Sequence, residues 1–529
     1  MKRAIQPKAA VLFFLFFAAF MPAPAAAQAI NPAVAGADND IGELRQSLKD
    51  EKGAQEKARL HKRIGDLLAD SRDFPQASSE YIAALALSRD FPAEERFRMA
   101  RVLSWAGRLD EAIAELERIL AENPGDRAAR IHLARCLSWK GKLGRAEREI
   151  ERVLKEQPGD REAILVKANL LRWRGDLRRA VAHYRQALGG EEEFGARTGL
   201  AYAFLSAGDV RMARAERNII KAEYPYQEGE LGELDRAIRA AERPTAEGGY
   251  AYYSDSDDNR VEKISASLSG WASVARLGLS LRHFDARDNA RHADARQASL
   301  SAFSRVTESA GFHASAGFHE SRAGETGEFF TGSARLELLI PRGNAAASAS
   351  REILTDTAQL IGNSVRVSAF QISLSQYLGC GVTADGSYGY REYSDDNRSK
   401  DLNLSVRHAF DVKAPFVSAG YRFRFRDFSR ETGSGYFDPG NYLSHQLFLA
   451  LSHDGKRVVA YIEPYVGHEE FDRRGTKTNR WIGGGSGSLG VKIREGWILE
   501  GNVEGGSNSS GAAAGFDYYQ AGVRIRATF

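Results

Sequence analysis

The final twelve residues of the chain read Tyr518-Tyr-Gln-Ala-Gly-Val-Arg-Ile-Arg-Ala-Thr-Phe529. From Tyr519 onward, apolar or aromatic side chains occupy every second position, and glutamine, glycine, arginine or threonine occupies the positions between them. Successive side chains of a β-strand point to opposite faces, so this segment predicts a strand with one apolar and one wet face. Such a strand suits the wall of a barrel that has lipid outside and water inside.

The same alternation recurs along the chain from residue 249 to residue 529. Residues 402–407, for example, alternate Leu and Val with Asn, Ser and Arg. We trace about 16 strands of about ten to fourteen residues, an even number like those of bacterial barrels. A soluble antiparallel sandwich also alternates, but long strands with arginines on their wet face favour an antiparallel transmembrane β-barrel over residues 249–529.

The start of the chain has the features of an export signal. Lys2, Arg3 and Lys8 are basic, residues 9–21 are an apolar run, and alanines 25–27 supply an A-x-A cleavage site. Residues 1–27 are therefore predicted to be a signal peptide. The alternative is a membrane anchor, but the apolar run is short against the ~20 residues that a membrane-spanning helix needs.

Tryptophan recurs at a fixed spacing in the N-terminal half of the chain. Trp105, Trp139 and Trp173 are 34 residues apart, and a glycine and an alanine follow each of them at constant offsets. This period is typical of the tetratricopeptide repeat (TPR), a solenoid of paired helices. We predict about five TPR units over residues 58–240. An N-terminal extension with a capping helix from about residue 41 to 60 occupies residues 28–57, and residues 241–248 form a linker.

Each TPR unit is expected to use its marked positions in the same way. The tryptophan lies on the first helix and packs on its neighbour, the glycine allows the tight turn, and the alanine permits a close crossing of the second helix. Such repeats are scaffolds that bind proteins or peptides, and they imply no catalytic chemistry. The predicted packing residues are Trp105, Gly107, Ala112, Trp139, Gly141, Ala146, Trp173, Gly175 and Ala180.

Composition excludes several other classes of protein. The chain has 73 basic and 70 acidic residues, without the basic excess of a nucleic-acid binder. Its mean hydropathy of −0.41 excludes a helical membrane protein. Because the sequence lacks hydrolase, metalloprotease and phosphate-loop motifs, and no metal-ligand spacing surrounds Cys136 or Cys380, we expect no enzyme activity, cofactor or metal. A barrel hydrolase stays an alternative, because His313 and His319 lie near serines.

Polar side chains on the wet faces of the predicted strands are candidates for the lining of a pore. Rings of arginine attract anionic solutes, and tyrosine faces can stack on sugar rings. The alternative is that the arginines pair with the glutamates and stiffen or plug the barrel. The candidates are Arg276, Arg282, Arg407, Arg422, Arg424, Arg426, Tyr461, Glu463, Glu500, Glu504, Arg524 and Arg526.

With these features, the chain without its signal peptide resembles outer-membrane proteins that join TPR units to a β-barrel. One such group contains exopolysaccharide exporters, such as the outer-membrane subunit of bacterial cellulose synthase and the poly-N-acetylglucosamine porin; another is the YaiO-like barrels. The segment Gly435-Tyr-Phe-Asp-Pro-Gly-Asn-Tyr442 resembles a Tyr-Phe-Ser/Asp-Pro-x-x-Tyr motif of cellulose-type barrels. Its plain structural interpretation is a turn with tyrosines at the membrane interface. The short arm fits the YaiO-like proteins better.

The resemblance implies a location and a set of partners. The barrel would lie in the lipid bilayer of the outer membrane, and the TPR arm would bind proteins in the periplasm. The predicted function is export of an anionic or neutral exopolysaccharide through a porin-like barrel, with no nucleic acid as a partner. The alternative is a closed barrel that anchors a TPR scaffold and transports nothing. The terminal strand resembles the signal that the barrel-assembly machinery recognises, carried here by Tyr519, Val523, Ile525 and Phe529.

Overall fold

The computed structural model describes residues 34–189, 193–323, 325–379, 381–410, 416–507 and 517–529. The predicted signal peptide and Cys380 lie outside the described residues. Within the described ranges, twelve helices are followed by sixteen strands, and one short helix lies between the seventh and eighth strands. The protein therefore consists of a helical TPR arm followed by a β-barrel.

Successive helices of the arm pack in pairs, from α2 with α3 to α10 with α11. The prediction of one capping helix over residues 41–60 is wrong, because two helices are separated at residues 51–53. There the Glu51 carboxylate accepts hydrogen bonds from the backbone N–H groups of Lys52 at 2.7 Å and Gly53 at 2.6 Å, which stabilises the break. The helices are α1 Val34–Asp50, α2 Ala54–Asp70, α3 Phe74–Leu87, α4 Ala93–Trp105, α5 Leu109–Glu122, α6 Arg127–Trp139, α7 Leu143–Glu156, α8 Arg161–Trp173, α9 Leu177–Ala187, α10 Glu193–Ser206, α11 Val210–Ile219 and α12 Pro225–Glu242.

The repeated residues hold equivalent places in each pair of helices. Gly107, Gly141 and Gly175 have φ angles of 79°, 81° and 78°, a left-handed conformation that glycine adopts without strain between the two helices of a unit. The alanines at 112, 146 and 180 are fully buried. The tryptophans end α4, α6 and α8; Trp139 and Trp173 pack against the arm core, whereas Trp105 contacts the Phe74 ring and remains 39% exposed. Their packing is therefore one-sided.

Sixteen antiparallel strands close into a barrel in which each strand pairs with the next along the chain. β1 and β16 complete the closure, with Thr245 opposite Thr528 and Asp255 opposite Tyr518. Closure removes the unpaired edges of the sheet. The strands are β1 Thr245–Asp255, β2 Arg260–Ala272, β3 Ala275–Arg287, β4 His292–Thr307, β5 Ala310–Ala323, β6 Glu325–Ile340, β7 Gly343–Ile353, β8 Arg366–Gly379, β9 Val382–Tyr393, β10 Arg398–Ala409, β11 Phe416–Phe428, β12 Gly440–Asp454, β13 Val458–Arg473, β14 Thr476–Arg494, β15 Trp497–Gly506 and β16 Tyr518–Thr528.

The first strand begins earlier in the sequence than predicted. α12 ends at Glu242 and β1 begins at Thr245, so residues 245–248 of the expected linker belong to the barrel. Pro244 lacks an N–H group and cannot continue the helix. Its carbonyl oxygen accepts a hydrogen bond from the N–H of Phe529 at 3.0 Å. The connection between arm and barrel is thus two residues long and is bound to the end of the last strand.

The two faces of the barrel wall differ in polarity. On β3, Leu277, Leu279 and Leu281 are 44–50% exposed on the outer face. The residues between them point inward, and antiparallel pairing carries the same alternation from strand to strand. An apolar outer belt around a polar interior is the pattern of barrels that cross a lipid bilayer. Among the described residues, no helix is long and apolar enough to cross a membrane.

The last helices of the arm contact one rim of the barrel, where β1 begins and β16 ends; we call it the arm-side rim. Trp271 Nε1 donates to the carbonyl oxygen of Ala241 in α12 at 3.0 Å. Arg305 Nε donates to the backbone carbonyl of residue 207, between α10 and α11, at 2.6 Å. Both Nη atoms of Arg185 in α9 bind the Glu308 carboxylate. These contacts join the arm to β2, β4 and the turn after β4.

Candidate functional site

Hydroxyl groups line one half of the barrel interior. On the inner face of β4–β7, Ser301, Ser315, Ser333 and Ser350 occupy directly paired positions on neighbouring strands. The hydroxyl groups of Ser315 and Ser333 are 2.7 Å apart and share a hydrogen bond. We call the inner face of β2–β8 the serine wall. Because a hydroxyl group both donates and accepts hydrogen bonds, this wall can bind uncharged polar solutes.

The serine wall also carries cations, such as Arg276 and Arg282 on β3. Charged side chains are concentrated on the other half of the interior, on β10–β16 and β1, which we call the charged wall. Arg422 Nη2 binds Glu463 Oε1 at 2.9 Å. Arg524 binds Glu247 and Glu500, each at 3.0 Å. Ion pairs between neighbouring strands, or across one intervening strand as for Arg422 and Glu463, hold these side chains against the wall. The lumen is thus polar on all sides, but charged groups are denser on the charged wall than on the serine wall.

The structure places all twelve predicted lining residues on the inner face. Four of the eight arginines have a carboxylate partner, as Arg426 has in Asp401. The other four make no ion pair with any residue that the structure describes, so their charge is not offset by the wall. The set comprises the paired Arg422, Arg426, Arg524 and Arg526, the unpaired Arg276, Arg282, Arg407 and Arg424, and the residues Tyr461, Glu463, Glu500 and Glu504.

Sequence reasoning misses several carboxylates of the interior, among them Glu247, Asp401 and Glu469. Glu247 precedes the predicted start of the barrel at residue 249 and therefore falls in the predicted linker. Asp401 and Glu469 point inward and are almost fully buried; Glu469 binds Arg480 Nε at 2.7 Å. The alternation contains a signal that could have identified them. Asp401 lies six residues before Arg407, and Glu469 lies six after Glu463, so each shares the inward phase of its strand.

A loop fills part of the distal end of the barrel, the end away from the arm. This plug segment (residues 354–365) contains the short helix α13, Ala358–Gly362, between β7 and β8. Ala358 and Ile361 are buried against inward-facing side chains of β2–β4, among them Phe284 and Ala295. The plug segment therefore folds into the lumen and packs on its wall.

A second loop packs on the plug segment. This latch loop (residues 429–439) joins β11 and β12. Gln359 Nε2 donates to the carbonyl oxygen of Gly433 at 2.6 Å, and Asn363 Nδ2 donates to that of Ser434 at 3.0 Å. Side-chain amides of the plug segment thus bind the backbone of the latch loop. The two loops hold each other at the distal end of the lumen.

The tyrosines of the predicted turn lie inside the barrel. Tyr436 is 2% exposed, its ring stacks on Tyr393 with centroids 4.6 Å apart, and its hydroxyl donates to Asp395 at 2.8 Å. Tyr442 points inward and its hydroxyl donates to Glu469 at 3.0 Å. The expectation that these tyrosines lie at the membrane interface is wrong, because the latch loop turns back and buries both rings.

The predicted assembly-signal residues lie at the seam between β16 and β1. Tyr519, Val523 and Ile525 are exposed on the outer face of β16. Phe529 follows the strand, and its ring lies edge-on to Trp497 with centroids 6.2 Å apart. These positions leave the side chains accessible from outside the barrel. Their recognition by assembly machinery stays a prediction.

Among the described residues, neither candidate catalytic histidine, His313 or His319, is hydrogen-bonded to a serine hydroxyl. The His313 ring packs on Phe303 with centroids 4.3 Å apart, and its Nε2 lies 3.6 Å from the Glu337 carboxylate. His319 is buried, and its Nε2 has no hydrogen-bond partner in the structure. Among the residues that the structure describes, no three His, Cys, Asp or Glu side chains are grouped as a metal site would require. Neither histidine supports hydrolase chemistry.

The fold and its interior define the class: a TPR arm joined to a closed sixteen-stranded antiparallel β-barrel with a polar lumen. The tetratricopeptide repeat family matches residues 62–126 and 103–170. The chain is similar to a solved structure described as a bacterial polysaccharide outer membrane secretin, with 9% identity and a TM-score of 0.45 over 54% of this chain and 99% of that one.

Other solved structures are similar to one part of the chain. CdiB from Acinetobacter baumannii is 14% identical, with a TM-score of 0.37, over 54% of this chain and 60% of that one. A thermophilic TPR protein of Thermus thermophilus is 19% identical, with a TM-score of 0.30, over 34% of this chain and 98% of that one. No curated protein sequence matches the chain.

Proposed function

We propose that the barrel is an outer-membrane conduit for an exported exopolysaccharide. The observation that carries the proposal is the polar inner face, with hydroxyl rows on one side and charged groups on the other. Sugar chains are dense in hydroxyl groups, and a wall of serine, arginine and glutamate can exchange hydrogen bonds with them along their length. The twelve inner-face residues named above would then be the lining of the conduit.

The apolar outer belt supports a location in the outer membrane. We propose that residues 1–27 direct export and are removed, that residues 28–57 and 58–240 form the extension and the TPR arm, and that the arm lies in the periplasm. There its partly exposed tryptophans, one at the end of each of α4, α6 and α8, offer regularly spaced sites to partner proteins. The barrel-assembly machinery would insert the chain through its last strand.

Export requires that the plug segment move. Its hydrogen bonds to the latch loop run from side-chain amides to backbone carbonyls and can be exchanged for water at low cost. Opening must also separate Leu360 from the buried cluster that it shares with Tyr436. A closed resting state also fits a protein that must not leak small solutes. The plug segment would thus be a gate that opens when the polymer or a periplasmic partner arrives.

The same loops support a second candidate function, a closed barrel that anchors a TPR scaffold. The buried contacts of α13 with β2–β4 and the stacking of Tyr436 on Tyr393 would then be permanent. The two functions differ in one property, which is whether the lumen conducts a sugar once the plug segment is removed.

We expect removal of the plug segment to open the barrel to oligosaccharides. Full-length protein with residues 355–364 replaced by a short Gly-Ser linker should let proteoliposomes swell in isotonic maltotetraose at least several-fold faster than the parent protein. The matched control replaces the turn at residues 288–291, which lies at the same end of the barrel, and should keep the parent rate. Swelling no faster than the parent would contradict the conduit and favour the anchor.

A further inference from the structure

A recess of about 400 Å³ opens on the inner face of β7–β11, where the serine wall meets the charged wall. Gln371, Ser387 and Asn403 line it from the uncharged side, and Arg422 and Arg424 line it from β11. It therefore offers neutral donors and acceptors beside cationic groups. This combination suits a sugar that carries both hydroxyl groups and a negative charge.

Arg424 is the cation of this recess whose charge the protein does not offset. Three arginines alternate on the inner face of β11, and the outer two are paired, Arg422 with Glu463 and Arg426 with Asp401. Arg424 makes no ion pair with a described residue, and both flanking arginines are of like charge. An arginine that is held inside a barrel without a counter-charge is costly to the fold. A bound anion would remove that cost.

The carboxylate within the recess is already engaged. Asp385 accepts hydrogen bonds from the hydroxyl groups of Ser375 at 2.6 Å and Ser405 at 3.4 Å. It lies two strands away from Arg424, on β9 rather than β11. Asp385 can accept a further hydrogen bond from a sugar hydroxyl, since a carboxylate has about four acceptor sites. The recess thus has an anion-binding side and a hydroxyl-binding side.

Other unpaired cations are distributed along the lumen. Arg276 lies near the arm-side rim, where its Nη2 donates to Thr245 Oγ1 at 3.0 Å. Arg407 lies near the arm-side end of β10, Arg282 lies midway along β3, and Lys263 lies toward the distal end of β2. None of these four makes an ion pair with a residue that the structure describes. A polymer with regularly spaced negative charges would meet several cations along the lumen that form no ion pair with the barrel wall.

We propose that the conduit is selective for a polysaccharide whose sugars carry carboxylate groups, and that Arg424 is the residue that recognises the carboxylate. The inference rests on the proposed function, because it assigns the class of polymer that the same lumen accepts. Loss of the Arg424 charge should remove a charge-assisted hydrogen bond, which corresponds to a loss of about tenfold or more in affinity.

The test is equilibrium binding of tetragalacturonate and maltotetraose, which have equal length and differ in charge, to detergent-solubilised full-length protein. Tetragalacturonate should bind at least tenfold more tightly. Arg424→Gln should abolish most of that difference, Arg424→Lys should retain most of it, and Arg296→Gln, an exposed arginine on the outer face of β4, should change nothing. Heat-dependent gel migration confirms that each barrel is folded.

Equal affinity for the two sugars in the parent protein, or unchanged tetragalacturonate affinity in Arg424→Gln, would overturn the inference. Binding in detergent requires no passage through the barrel. It therefore reports on recognition even if the swelling experiment shows a closed lumen. Conversely, swelling in maltotetraose with no preference for tetragalacturonate would leave the conduit in place and remove only its selectivity for carboxylates.

Discussion

His132 is a buried histidine in the middle of the arm. Its Nε2 shares a hydrogen bond of 2.9 Å with the Ser104 hydroxyl, and its ring lies edge-on to Phe97 and Trp139. Burial lowers the pKa of His132 to about 3, and the nearby Arg135 adds to the effect. The folded arm therefore keeps this imidazole neutral at pH values at which a free histidine is charged.

We expect His132 to make the arm less stable in mild acid. The unfolded chain takes up a proton on this residue near pH 6.5, while the folded arm does not, so stability is complete above that pH and falls as the pH drops. The loss at pH 5 should be about 2 kcal/mol. Urea unfolding of the full-length protein, followed by helical circular dichroism at pH 7 and pH 5, measures it.

His132→Gln should reduce the difference in unfolding free energy between the two pH values by that amount. The half-buried His183 provides the control, since His183→Gln should leave the parent difference in place. If the His132 variant retained the full pH dependence, the buried imidazole would not be its source.

The direction of individual side chains was predictable in the barrel, but their partners were not. A period of two fixes which face of a strand a residue occupies, so the sequence alone predicts that Arg422, Arg424 and Arg426 face the interior. Which of them has a carboxylate depends on the register between strands and on Glu463 and Asp401, which lie on different strands. Sequence periodicity carries no information on that register.

At the scale of helices, the contact between α9 and α10 depends on a glycine. A methyl group at Gly199 in α10 would overlap the ring of Tyr184 in α9. That ring cannot move aside easily, because it is fully buried and its hydroxyl donates to Asn169 Oδ1 at 2.6 Å and accepts from Arg172 Nε at 3.1 Å. Gly199 therefore sets the distance between the two helices.

We expect Gly199→Ala to destabilise the arm by about 1–3 kcal/mol, because overpacking outweighs the better helix propensity of alanine. The matched control is Gly232→Ala in α12, where the nearest atom to an added methyl group is Arg236 Nη1 at 3.7 Å. It should stabilise the arm by up to about 1 kcal/mol. Chemical unfolding of both variants measures the difference between their free energies of unfolding. Equal free energies would show that the Tyr184 ring moves aside to accommodate the methyl group.

The repeated helices and alternating strands were predictable as elements, whereas the plug segment was not. Its helix α13 has five residues, too few to show a helical period, and its apolar side chains pack against β2–β4, about 60 to 100 residues earlier in the sequence. The motif ending at Tyr442 was visible, but a turn motif does not indicate whether its loop extends outward or folds inward. Both failures concern contacts between elements that are distant in sequence.

At the scale of the molecule, the arm is fixed to the barrel at several points. Trp271, Arg305 and Glu308 of the barrel bind α12, the turn after α10 and α9, respectively. Trp271 also packs against the hydrophobic core of the last repeats. Contacts on three elements restrain rotation as well as distance, so we expect one orientation of the arm.

Loss of the Trp271 and Arg305 side chains should allow the arm to adopt several orientations relative to the barrel. Spin labels at Lys155→Cys in α7 and Lys400→Cys at the distal end of β10, with Cys136→Ala and Cys380→Ala, should give a narrow distance distribution in the parent protein. Adding Trp271→Ala and Arg305→Ala should broaden it. Trp497→Ala, on the same rim but packed on Arg494 and Phe529, should not. A narrow distribution in all variants would mean that the connection alone orients the arm.

Because the connection between α12 and β1 has only two residues, the direction of the arm depends on the rotation of α12 about its own axis. An α-helix turns about 100° and rises ~1.5 Å per residue, so one residue inserted into α12 would swing the arm to another side of the axis of that helix. Arg185 would then face away from Glu308. The same two-label distance would register the swing. The number of residues in α12 therefore determines the direction in which the arm extends from the barrel. A foreign repeat domain fused to this barrel through α12 would extend in a direction set by the same number.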